Sequence, residues 1–163
     1  RHIELVSGLK INRDSLRVTL DWLLARGWID RNPGYGHSLR PEYILTPAGM
    51  ALGRPAMEVV EAIEALGVED AALRKWALAI VHLTAGSPMR FAGLRAALPA
   101  ITPRALTQAL KVLQTAGLID RAVEDGHPPQ VTYRATRRGR ILAKRLEGLV
   151  APPPAPSPGA PSA

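Results

Sequence analysis

The side chains of this sequence best suited to molecular recognition cluster between Thr102 and Lys111. Thr102, Arg104, Thr107, Gln108 and Lys111 are interleaved with the apolar residues Ile101, Leu106, Leu110 and Leu113. Arg104 and Gln108 are spaced i, i+4, with Thr107 between them on nearly the same face and Lys111 one turn further on. A guanidinium suits the edge of guanine, a carboxamide suits adenine or a phosphate, and an ammonium suits phosphate alone. Arg121, His127 and Arg134 follow in a second basic group, positioned to meet a flanking phosphate or a minor groove. This is the chemistry of holding a polyanionic duplex rather than of breaking a bond. No serine, histidine and acid are spaced to suggest a triad, no glycine-rich phosphate loop occurs, and cysteine is absent. The expectation is a non-enzyme with no cofactor and no metal.

The elements that must position these groups are legible around them. ITPRALTQALKVLQTAG reads as a helix whose apolar residues recur at a helical period. Thr102 is the expected N-cap, Pro103 the first helical residue, and Gly117 the left-handed residue beyond the C-terminus. Two β-prone runs, Leu118–Val123 and Val131–Tyr133, then flank a turn with Gly126, Pro128 and Pro129. A glycine-closed helix followed by a hairpin with basic residues is the plan of a winged helix-turn-helix.

The plan occurs twice. Shifted by 90 residues, Ile11–Leu52 lies over Ile101–Leu142 without a gap, and 14 of the 42 pairs are identical. The identities fall on the apolar stripe (Leu16, Leu20, Leu23), the helix stop (Gly27), the strand start (Ile29-Asp30-Arg31), the turn (Gly36-His37) and the exit (Tyr43, Thr46, Gly49). Those are positions a fold needs, so two copies of one supersecondary unit are expected. In the first copy Asn12 is the expected cap. Its helix, running to about Arg26, turns Arg13, Ser15, Arg17, Val18 and Asp21 outward, and the following hairpin carries Arg31, His37 and Arg40. Arg13 and Arg17 are candidates for phosphate contact, but Asp14 and Asp21 would repel phosphate. Weak DNA binding and a purely scaffolding or dimerising role are both open for this copy.

The expected class is therefore mainly α with small β-hairpin wings (α+β): two winged helix-turn-helix domains joined by a helical linker. Residues 1–53 form the first, N-terminally incomplete, since the chain opens on Arg1 within what reads as the end of a preceding helix. Residues 54–69 are a linker helix with Val59, Ile63 and Leu66 on one face. Residues 70–150 form the second domain. It has a helix from Asp70 to about Ala85 with Trp76, Ile80 and Leu83 inward, a helix over Arg90–Leu98, the basic helix and wing, and a closing helix over Arg137–Val150. Residues 151–163 are a Pro/Ala/Ser tail expected to be disordered. His82, within an apolar run, is expected in the core. His37 and His127 sit at equivalent turn positions and fit a turn or phosphate role better than a metal.

The chain of 163 residues has a net charge of +7, unevenly spread. Residues 1–73 hold 8 Lys/Arg against 10 Asp/Glu, and residues 74–163 hold 13 against 4. The second copy carries the positive field, which favours duplex nucleic acid as partner. No apolar run is long enough for a transmembrane span, so no membrane is expected. A cytoplasmic, nucleoid-associated protein follows.

The second half resembles the HxlR-type winged helix-turn-helix regulators of bacteria. Lys75-Trp76, RFAGLRAALPAITPRALTQALKVLQTAGLIDR, HPPQVTY and the step from Thr136 to Gly139 carry the resemblance, over about residues 74–149. It implies binding of operator DNA as a homodimer and control of transcription, often in response to stress or small molecules. It would make Thr102 to Lys111 the recognition surface, Arg121, His127 and Arg134 the wing, and the closing helix a dimerisation element. Family members often carry an N-terminal cysteine used for sensing; none occurs in this sequence, so the expectation is a regulator without thiol sensing. Members usually have one such domain per chain, so a tandem would allow an intrachain pseudo-dimer instead. A sequence-specific, duplex-DNA-binding transcriptional regulator is the expected function. The alternative is a winged-helix docking module in a chromosome-organising or transcription complex. The effector is left open.

Overall fold

The computed structural model describes residues 12–32, 42–124 and 129–150. The start of the chain, the first wing turn with His37 and Arg40, the second wing tip with His127, and the Pro/Ala/Ser tail lie outside the described residues. The chain divides into two compact units, with the division between Arg54 and Pro55.

In the first unit, α1 (Arg13–Ala25) begins where expected: Asn12 Oδ1 accepts a hydrogen bond from the Ser15 amide at 2.7 Å. Leu16 and Leu20 are buried, and with Ile29 they form a small core flanked by Leu23, Leu24 and Tyr43. Gly27 takes φ +65° and turns the chain into β1 (Ile29–Asn32), which pairs antiparallel with β2 (Glu42–Leu45). Thr46 then closes the hairpin. Its Oγ1 donates to the Gly27 carbonyl at 2.6 Å and accepts from the Gly49 amide at 3.0 Å, at the start of α2 (Pro47–Leu66).

The helix α2 is continuous through Pro55, where the sequence had placed a boundary between an exit helix and a linker. Proline removes one donor, but the remaining helical hydrogen bonds carry the run across it. Residues 54–69 do more than connect. Val59 and Ile63 are part of the main core of the second unit, as is Val68.

The second unit also corrects the expected helix over Asp70–Ala85. A short α3 (Glu69–Ala72) ends, the chain turns through Trp76 at φ +75°, and α4 (Ala77–Gly86) starts afresh. Ala72 and Ala77 are both 1% exposed. On one straight helix these positions would point about 140° apart at 100° per residue, so the break is what lets both face the core. A left-handed tryptophan costs roughly 1–2 kcal/mol, offset here by its ring packing against that core. His82 is half-buried rather than core, because it sits beside Val81 on the flank that meets polar residues of the closing helix.

A two-residue strand, β3 (Met89–Arg90), precedes α5 (Phe91–Ala97); the sequence reading had placed Arg90 in the helix. Then α6 (Pro103–Thr115) is capped by Thr102, whose Oγ1 accepts from the Ala105 amide at 3.2 Å. Gly117 at φ +68° leads into β4 (Ile119–Glu124), β5 (Gln130–Ala135) and α7 (Arg137–Val150). The sheet order is β3-β5-β4, all antiparallel. Leu106, Leu110 and Leu113 of α6 meet Leu118, Ile119, Leu142 and Leu146 in the core. Each fully buried leucine contributes about 1.5–3 kcal/mol, so this stripe fixes how α6 is presented.

The closing clasp recurs residue for residue. Thr136 Oγ1 donates to the Gly117 carbonyl at 2.7 Å and accepts from the Gly139 amide at 3.1 Å. The amides of Thr46 and Thr136 donate to the carbonyls of Trp28 and Leu118, each at 3.1 Å. The repeated Gly, Thr and Gly identities of the sequence are the parts of this clasp.

Candidate nucleic-acid interface

Arg104, Thr107, Gln108 and Lys111 are all exposed, opposite the buried Leu106, Leu110 and Leu113. At 100° per residue, Arg104, Gln108, Lys111 and Thr115 fall within about 60° of one another. The buried stripe therefore holds one polar row outward along the length of α6. Thr115 extends this row one turn beyond the Thr102–Lys111 span that the sequence pattern marks.

The threonines are partly committed elsewhere. Thr102 serves as the cap, and Thr107 Oγ1 donates to the Pro103 carbonyl at 3.0 Å, as Thr115 Oγ1 does to Lys111 at 3.0 Å. The hydroxyl protons of Thr107 and Thr115 are spent on the helix, which leaves Arg104, Gln108 and Lys111 as the principal donors of the row. Gln108, Lys111 and Thr115 also border a groove of ≈310 Å³ whose far side is Asp70, Ala71 and Arg74.

In the hairpin, Arg121 and Arg134 are both exposed but do not act together. Arg121 stands opposite Tyr133, and Arg134 opposite Asp120. Side chains alternate along a strand and cross-strand partners share a face, so the two arginines point to opposite faces of the ribbon. On the Arg134 face lies Arg90, opposite Thr132 in the register, with its Nη2 donating to Gln130 Oε1. Arg90 was not read as a wing residue. The strand that carries it is two residues long, and its register partners Thr132 and Tyr133 lie far along the chain, too little for a local signal.

Part of the positive charge is structural. Arg138 donates to the Ala116 carbonyl at 3.1 Å and to the Leu66 carbonyl, a cation set at the C-terminal ends of two helices. Arg140 donates to the Ala135 carbonyl at 2.8 Å, and Arg145 lies 3.9 Å from Glu58. In the first unit, Arg13 and Arg17 are exposed on α1 beside the exposed Asp14 and Asp21. Among the described residues, no group of three or more His, Asp or Glu side chains is placed to hold a metal ion, and no helix is long and apolar enough to cross a membrane.

A short helix, a tight turn at Leu98–Ile101, a second helix with a polar outer row and a following antiparallel hairpin define a winged helix-turn-helix. The model of the HxlR-like helix-turn-helix family matches residues 72–151. YdzF, an uncharacterized HTH-type transcriptional regulator of Bacillus subtilis, is 41% identical over 76 residues, 46% of this chain and 70% of that protein. An uncharacterized HTH-type transcriptional regulator of Methanothermobacter thermautotrophicus is 33% identical over 75 residues, 46% of this chain and 57% of its own length. The solved structure of the HTH-type regulator ytcD is 32% identical, with 52% of this chain and 87% of that one covered at a TM-score of 0.49. The chain belongs to the HxlR-like helix-turn-helix family. It spans only about six-tenths of the curated relatives that it matches first, and residues 1–71 lie outside the family match.

Proposed function

We propose that this protein is a sequence-specific, double-stranded-DNA-binding transcriptional regulator, cytoplasmic and nucleoid-associated, whose second unit is the reader. The observation that carries the reading is the outward row of α6. Arg104, Gln108 and Lys111 are exposed on a helix held by three buried leucines, in a chain of the helix-turn-helix family. Arg104 and Gln108 would meet base edges and Lys111 a phosphate, with Thr102 and Thr107 at the rim. Arg134, and His127 at the wing tip, would follow the flanking backbone; Arg121, on the other face of the ribbon, would reach a different strand or none. Membership of a family of regulators supports a non-enzymatic role. The recurrent Gly-Thr-Gly clasp supports reading the first unit as a divergent winged helix. A homodimer, or a pseudo-dimer within one chain, would set two helices about 34 Å apart along one face of the duplex.

The test is selection from a pool of random duplex DNA across a salt series, with sequencing of the bound fraction. A recurrent motif and a steep salt slope are expected. No binding at low salt would overturn the reading and favour a winged helix that docks a protein. Arg134→Ala is expected to flatten the logarithmic salt slope by about 0.9 if that arginine neutralises one phosphate. An unchanged slope would remove Arg134 from the interface.

A further inference from the structure

A cleft of ≈460 Å³ opens between α4 and α7, and it shares no residue with the polar row of α6 or with the groove beside that row. Its size falls in the range of roughly 300–1,000 Å³ usual for small-molecule sites. Arg140, Ala143, Lys144 and Glu147 line it from α7. Their spacing of i, i+3, i+4 and i+7 sets them within about 100° of one another on that helix. His82 and Leu83 line it from α4. The cleft exists because Ala143, 5% exposed, carries only a methyl group; a longer side chain there would fill it. The helix α4 is apolar around most of its circumference, a pattern typical of helices covered on all sides. His82 and Leu83 are nevertheless only half-buried, so an apolar wall stands beside charged groups.

We infer that this cleft binds a small organic carboxylate with an apolar body. Arg140 is set in advance for such a ligand. Its Nη1 donates to the Ala135 carbonyl at 2.8 Å, which fixes the guanidinium and leaves its other N–H donors for an acceptor. Lys144 is exposed one turn further along the same face, and no hydrogen bond or ion pair engages it among the described residues. The ring of His82 brings a further nitrogen from the facing helix. Two cations against the one carboxylate of Glu147 leave a surplus of one positive charge, which suits a monoanion better than a phosphate dianion. Glu147 repels a carboxylate from its own end of the cleft. The ligand's charge therefore belongs between Arg140 and Lys144, with its apolar body against Leu83 and Ala143. The competing occupant is an organic ammonium held by Glu147 and the carbonyl end of α4, and the choice of probes separates the two.

NMR titration of the isotope-labelled full chain, without DNA, tests the site independently of the reading of DNA by α6. Two acids, isocaproate and benzoate, are compared with the amines isoamylamine and benzylamine at constant ionic strength. A saturable shift of the amide signals of α4 and α7 is expected with at least one acid and with neither amine. Lys144→Glu should weaken that binding about tenfold or more through loss of a charged hydrogen-bond donor, and Arg140→Gln should weaken it likewise. Arg140 also holds the Ala135 carbonyl, so the exposed Lys144 supplies the variant that leaves the fold intact. Arg145→Gln removes a positive charge from another flank of α7, where Arg145 lies 3.9 Å from Glu58, and should leave the affinity unchanged. Absence of saturation with both acids, tighter binding of an amine, or an acid affinity indifferent to Lys144→Glu would overturn the site. An equal loss through Arg145→Gln would do the same, because it would reduce the effect to the general charge of the helix.

Discussion

Gly139→Ala is expected to destabilise the second unit by about 3 kcal/mol or more, seen as a lower midpoint in urea with little change of slope. Helix propensity alone predicts the opposite, since alanine in place of glycine inside a helix gains roughly 0.5–1 kcal/mol. Geometry outweighs it. A Cβ at position 139 would lie 2.1 Å from the Leu118 carbonyl oxygen and 3.1 Å from its carbon. Both belong to backbone, and that oxygen accepts the Thr136 amide at 3.1 Å. The first turn of α7 would have to leave the start of β4, and the clasp that orients the hairpin would open. Gly93→Ala is the internal comparison. Its Cβ would meet only the Met89 Cε at 3.5 Å, an ordinary contact. A modest gain is expected there, within about 1 kcal/mol. Opposite signs for the two substitutions would establish the clasp as the cause; two gains would refute it.

Much of this arrangement was legible because its signals are local. The cap at Thr102, Pro103 at the helix start, the leucine stripe and the glycine stop lie within one helix, and α6 follows from them. The repeat marked Thr136 and Gly139 as important before any geometry gave the reason, which is a carbonyl contact across the fold. What was not legible depends on distant partners. A left-handed Trp76 has no local signature, so the first helix of the second unit was read as unbroken. Arg138 finds the Leu66 carbonyl 72 residues away, and a list of basic residues could not tell it from a phosphate contact. The facing of Arg121 and Arg134 follows from the hairpin register. The turn between them is rich in glycine and proline, and several loop lengths fit it. Site residue types were thus readable where a single helix set their direction, and unreadable where two strands had to agree.

Arg104→Ala is expected to reduce affinity for the selected operator by about 1–3 kcal/mol while leaving binding to random duplex nearly unchanged. Arg104 sits on the first turn of α6, directly after the capped N-terminus, where a helix entering the major groove brings side chains closest to base edges. It is exposed. Lys111, two turns further on, is expected to behave differently. Lys111→Ala should weaken specific and non-specific binding alike and lower the salt slope by about 0.9 per phosphate lost. The pair separates direct readout from charge: one substitution changes the sequence ratio, the other the salt dependence. Titrations of operator and scrambled duplex at two salt concentrations measure both quantities. Equal losses on both duplexes for Arg104→Ala would demote it to a phosphate contact and move the base-reading role to Gln108. No loss on either would mean that Arg104 is outside the reading surface, and the role of the outer row of α6 would have to rest on Gln108 and Lys111 alone.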